Sequence, residues 1–166
     1  MEFLLRESPE TILRLALAVL AGGVVGWNRQ RRGHPAGLRT MMLVSLGSAA
    51  FVLMGLAVLS RNEAGRNLSD PTRVIAGIVG GIGFLGAGTI IRAGGEVRGV
   101  TTAAAIWATA AIGAAFGLGL YVLGTVTVGL TAAVLWLSPV EAAVFGDGKH
   151  GLTDGAEGAR DEGPLV

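Results

Sequence analysis

The stretch DPTRVIAGIVGGIGFLGAGTIIRAGGEVRGVTTAAAIWATAA, Asp70 to Ala111, holds two apolar runs on either side of one short charged turn. The run Val74–Ile91 contains no Asp, Glu, Lys, Arg or His, and neither does the run Val100–Phe116. Between them, Arg92-Ala93-Gly94-Gly95-Glu96-Val97-Arg98-Gly99 gathers the charges into eight residues. A helix that crosses a bilayer core needs about 20 predominantly apolar residues, with a range of about 17–25. The stretch therefore reads as a membrane hairpin of two helices.

The same pattern extends outward in both directions. Further apolar runs cover Ile12–Trp27, Met41–Leu59 and Leu120–Leu137, and each of the five is roughly 16–20 residues long. Buried helices of a soluble protein would each show a polar face, and these runs lack one. Over the 166 residues, 51% are hydrophobic and 15% charged, against about 25% charged in soluble domains. The expected fold class is all-α, a polytopic membrane bundle of about five transmembrane helices. The first run does not read as a cleaved signal peptide: Arg14 lies inside it, and Trp27-Asn28-Arg29 follows it in place of a small-residue cleavage site.

Helix starts are punctuated. Ser8-Pro9 and Asp70-Pro71 each read as an N-cap followed by proline at the first helical position. Gly117 and Gly119 break the chain between the last two runs, which makes those helices an antiparallel pair. The expected domains are a transmembrane unit over 1–138 and a polar, glycine-rich tail over 139–166, too poor in apolar residues to fold. Lys and Arg set the orientation. Arg29, Arg31, Arg32, Arg39, Arg92, Arg98, Lys149 and Arg160 share one side, and Arg6, Arg14, Arg61, Arg66 and Arg73 the other. The positive-inside rule then puts the N-terminus out and the C-terminus in, in a bacterial inner (cytoplasmic) membrane.

Several chemistries are excluded. There are no cysteines, and two distant histidines make no metal cluster. No acid/base pair lies within the membrane, so no enzyme is expected, and no metal or cofactor. The net charge of +1 does not point to nucleic acid. Gly81-Ile82-Gly83-Phe84-Leu85-Gly86 matches the G-x-G-x-x-G dinucleotide pattern. It lies inside an apolar run with no strand before it, and Glu96 follows too soon to serve as the ribose-binding acid.

The remaining candidates are glycines and loops. Gly22 and Gly26, Gly77 and Gly81, and Gly113 and Gly117 form small-xxx-small pairs that let helices approach closely. Gly77, Gly81, Gly83, Gly86 and Gly88 admit two readings, tight packing or a broken third helix of the kind that lines transport sites. The loop Asn28–Thr40 and the turn Arg92–Gly99 share one side. They could form an anion patch near Thr101 and Thr102 or serve as a topology signal touching anionic headgroups. Arg14 is near the end of the first run and can snorkel to the interface.

Three motifs then carry a resemblance. Pro35-Ala36-Gly37-Leu38-Arg39-Thr40 leads into Leu43-Val44-Ser45-Leu46-Gly47-Ser48-Ala49. Asp70-Pro71-Thr72-Arg73 precedes Gly81–Gly88, and Arg98-Gly99-Val100-Thr101-Thr102-Ala103-Ala104 runs on to Trp107. Together they resemble the MgtC/SapB family over about residues 10–138, in its short form without a C-terminal soluble domain. The resemblance implies a membrane domain of about five helices, a link to adaptation to low magnesium or acid stress, and survival within host macrophages in virulence-associated members. It implies a regulator acting through membrane-protein contacts, with the ATP synthase as one partner, and no catalytic reaction. The alternative is a small-ion or solute transporter with a broken helix. Its functional positions map to Asn28, Arg39, Thr40, Asp70, Arg73, Gly83, Gly86, Gly88, Arg98, Thr101 and Thr102. Many relatives have Glu at the place of Asn28 and Gln at that of Gly77, which weakens a cation or proton role here. Short helices with glycine faces also make a homodimer plausible.

Overall fold

A computed structural model of the chain describes residues 9–61, 71–93 and 96–137. Ser8, Asp70, Gly94, Gly95 and the tail from 138 onward lie outside the described residues. Five helices and a small hairpin follow in order: α1 (Pro9–Arg31), α2 (Leu38–Arg61), α3 (Pro71–Thr89), β1 (Ile91–Ala93), β2 (Glu96–Arg98), α4 (Val100–Gly117) and α5 (Tyr121–Trp136). The protein is an all-α membrane helical bundle. Proline opens α1 and α3, where its missing N–H leaves no bond unmade.

Four of the helices are long and apolar enough to cross a membrane. The fifth, α5, has 16 residues, which at 1.5 Å per residue gives about 24 Å, short of a hydrocarbon core of about 30 Å.

At the centre is α4, which touches all four other helices. Its apolar side chains surround it almost evenly, so the face of Val100, Ala104, Trp107 and Ala111 that stays exposed is as apolar as the buried one. Small residues make this closeness possible. A Cβ on Gly22 of α1 would lie 2.5 Å from the Met41 carbonyl oxygen, and one on Gly26 would lie 2.7 Å from Leu38 Cα. On α4, Gly113 meets the Ser45 carbonyl, and a Cβ on Gly117 would lie 2.8 Å from the Ala49 carbonyl. Two of the three small-xxx-small pairs therefore seat α1 and α4 against α2.

The helix connections follow from local chemistry. Gly119 adopts φ 77°, its N–H bonds Phe116 O, and the Leu120 N–H bonds Ala115 O. This is the paired closure of a helix ending on a left-handed residue, and it turns α5 back against α4. Gly99 takes φ 92°, and a Cβ there would strike the Thr89 carbonyl.

Two features differ from the expectation. The turn between α3 and α4 is a β-hairpin, with Ile91 opposite Arg98 and Ala93 opposite Glu96. Also, α3 runs unbroken from Pro71 to Thr89. Its glycines cost helix propensity without interrupting the backbone ladder, so the discontinuous third helix is not the conformation found.

Candidate functional site

The first polar site is on α1, which runs four residues past Trp27. Its buried face repeats as Ala18, Ala21, Gly22, Val25, Asn28 and Arg29, the spacing of one helix stripe. Arg29 is only 1% exposed. Its Nε donates to the Ala36 carbonyl at 2.9 Å, and its Nη2 donates to Thr102 Oγ1 of α4. A guanidinium expected in a solvated loop is thus a buried tie between the α1–α2 loop and the start of α4. Asn28 is buried beside it.

A second arginine ties the opposite ends of the same two helices. Arg14 Nη1 donates to Gly117 O at 3.0 Å, and Nη2 pairs with Glu10. The guanidinium donates to one of the carbonyls left open where α4 ends. It reaches the bundle rather than only the interface. The two ties lie 15 residues apart on α1, from Arg14 to Arg29 (29 − 14), and 15 apart on α4, from Thr102 to Gly117 (117 − 102). That is about 22 Å along each helix, so the antiparallel pair is clamped near both edges of the apolar core.

The loop at the Arg29 end is held by its own contacts. Gln30 Oε1 accepts the Leu38 N–H at 3.4 Å, and within the last turn of α1 Arg31 stacks over Trp27 at 4.7 Å from the ring centroid. His34 lies in this loop, outside the spans. Desolvation, with the nearby charges of Arg29 and Arg32, holds its pKa below the usual 6.5.

The second site is a cavity of about 930 Å³ between α2 and α3. From α2 it is lined by Arg39, Thr40, Leu43, Gly47, Ser48 and Phe51, and from α3 by Val74, Gly77, Gly81 and Leu85. The two helices meet at one end, where a Cβ on Gly55 would lie 2.6 Å from Val74 Cγ2. They part toward the other end, where Arg39 and Thr40 sit in the first turn of α2. The walls are almost wholly apolar, and Arg39 is the only charged residue among the lining residues.

The structure separates the residues singled out in the sequence. Arg39 and Thr40 share the cavity mouth with Gly77 and Gly81 deeper in, while Thr102 belongs to the Arg29 tie and Asn28 is buried one residue before Arg29. Arg73 is exposed in the first turn of α3, at the closed end. Thr101 and Arg98 are exposed at the hairpin end of α4, and Asp70 is outside the described residues. Gly86 packs on Ala103 of α4, with 3.5 Å between their Cβ positions, whereas Gly83 and Gly88 face open space. Arg29 was missed because a run of arginines after Trp27 resembles a loop. The stripe Ala18–Ala21–Val25 continues through Asn28 and Arg29 and could have revealed it.

The fold and the buried ties define a multi-pass α-helical membrane protein. Comparison with known sequences makes the assignment specific: the model of the MgtC family matches residues 15–142, and the chain belongs to that family. It is 47% identical to YhiD of Escherichia coli (strain K12), whose name proposes a magnesium transporter, over 76% of this chain and 59% of that protein. It is 44% identical to SrpB of Synechococcus elongatus, over 68% of this chain and 66% of that one. It is 50% identical to MgtC of Brucella abortus, over 64% and 42% respectively. The chain thus spans about three fifths or less of the length of YhiD and MgtC. No solved structure matches it.

Proposed function

We propose that this chain is a membrane regulator in adaptation to low magnesium or acid stress, acting through contacts with another membrane protein rather than by conducting an ion. It would lie in the bacterial inner membrane with its N-terminus out and C-terminus in. A membrane complex such as the ATP synthase is the partner the family resemblance suggests.

The observation that carries this reading is the outer face of α3. Ala76, Gly80, Gly83 and Ala87 recur at helix spacing, all are exposed, and a Cβ at either glycine would meet nothing within 4 Å. A small-residue stripe of this kind receives a partner helix at close range in lipid. Magnesium conduction finds less support. Hydrated Mg²⁺ is held through carboxylates and waters, and the four runs after the first carry no carboxylate. The single charge lining the α2–α3 cavity is Arg39, which repels cations.

The magnesium-transporter name of YhiD favours the second reading, a transporter using that cavity. A photo-crosslinking residue at Gly83 tests the first. It is expected to trap a membrane protein in cells grown at low magnesium, and Gly83→Leu is expected to abolish both the product from a second crosslinker at Gly80 and the growth phenotype. Crosslinking to lipid alone, with full function of Gly83→Leu, would refute the contact mode.

A further inference from the structure

From the α2–α3 cavity we infer that it is a binding site for one anionic phospholipid of the leaflet on the Arg39 side, with its phosphate at the first turn of α2 and an acyl chain between the helices. The inference does not depend on the regulator reading.

Three features of the cavity fit an amphiphile with a negative head. The mouth is cationic: Arg39 is exposed and has no partner among the described residues. It also opens on a helix N-terminus. The Leu38 N–H is taken by Gln30, and Met41 is the first residue whose N–H reaches a backbone acceptor, Gly37 O. The N–H groups of Arg39 and Thr40 therefore have no acceptor among the described residues, and a phosphate is the group such a helix end accepts. No carboxylate lines the cavity to compete for that place.

The interior suits the tail. Gly47 on α2, with Gly77 and Gly81 on α3, leaves the walls without side chains at their middle, so the gap is deep as well as apolar. From Arg39 to Phe51 the wall covers 12 residues (51 − 39), about 18 Å along the helix. One leaflet of the hydrocarbon core is about 15 Å deep, half of the ~30 Å core. The contact between Gly55 and Val74 closes the cavity beyond that depth. A chain can enter from the charged end and stop near mid-membrane. A through-going transmembrane helix of a partner would need the gap open at both ends.

The test uses the full chain in nanodiscs of matched acyl composition, with native mass spectrometry counting the lipids retained. Phosphatidylglycerol is expected to be retained over phosphatidylcholine by about fivefold, the value of one arginine near an anionic headgroup. Arg39→Gln is expected to bring that ratio to about one, while Arg73→Gln, at the closed end, leaves it unchanged. Gly81→Leu keeps the cationic mouth and fills the gap, so it is expected to lower retention of both lipids. Inorganic phosphate at millimolar concentration is expected not to displace phosphatidylglycerol. The proposal is overturned if wild type shows no preference, if Arg39→Gln retains it, or if Gly81→Leu has no effect. Displacement by phosphate alone would overturn it in favour of a free-anion site, and a retained polypeptide in place of lipid would overturn it in favour of helix docking.

Discussion

Gly22 and Gly83 are chemically identical and structurally opposite, so one substitution at both positions measures what the bundle contributes. Gly→Ala in a helix gains about 0.8–1.0 kcal/mol of propensity wherever it is made. That gain is common to both variants and cancels in their difference. At Gly22 the new methyl would lie 2.5 Å from the Met41 carbonyl oxygen and 2.9 Å from Ser45 Cβ. A backbone carbonyl cannot swing aside, so α1 and α2 must separate locally, and overpacking of this kind costs about 1–3 kcal/mol. At Gly83 the methyl meets nothing within 4 Å. Gly83→Ala is therefore expected to be up to about 1 kcal/mol more stable than wild type, and Gly22→Ala to fall about 1–3 kcal/mol below Gly83→Ala. Reversible unfolding in mixed micelles, followed by helical circular dichroism, reads both. Equal stabilities for the two variants would refute the packing derived for α1 and α2, and so would a destabilised Gly83→Ala.

The Arg29 tie predicts a coupling between sites 73 residues apart. A double-mutant cycle of Arg29→Met and Thr102→Val should give about 0.6 kcal/mol and at most about 1.7, the average and the maximum found for hydrogen bonds between membrane helices; additive single effects would deny the contact. His34 should titrate below 6.5 by NMR, and Arg32→Ala should move it back up. With the folded pKa lowered, the unfolded chain binds the proton more readily. The stability associated with neutral His34 is thus full above about 6.5 and declines as pH falls through the folded value. A His34 titration at or above 6.5 contradicts the loop geometry.

Much of this fold is legible because lipid removes ambiguity. A run such as Val74–Ile91, with no charge over its length, has no other stable place to go, and Pro71 and Gly119 mark a helix start and end by their own backbone limits. The pairs Gly22/Gly26 and Gly113/Gly117 announce close packing, but nothing local says against which helix, and both proved to lie against α2. Gly77/Gly81 has the same spacing and lines a cavity instead. The difference comes from the splay of α2 and α3, which is a tertiary property. The candidate site was less legible for the same reason. Arg39 and Thr40 stand out in the sequence, yet their neighbours across the cavity are some forty residues away in the chain. Arg29 was hidden by its company: three arginines in four residues suggest solvent, and only the continued stripe from Ala18 turns one of them inward. The β-hairpin was hidden because its strands, Ile91–Ala93 and Glu96–Arg98, are only three residues long, too short for an alternating pattern to show.

On the function proposed above, this member of the family regulates without conducting. Magnesium flux into proteoliposomes reconstituted with the purified chain, followed by an internal dye with an imposed gradient, tests this reading. The expected rate equals that of protein-free vesicles and is unchanged by Arg39→Gln. Saturable, protein-dependent uptake that rises when the Arg39 charge is removed would contradict it and make the α2–α3 cavity a transport path.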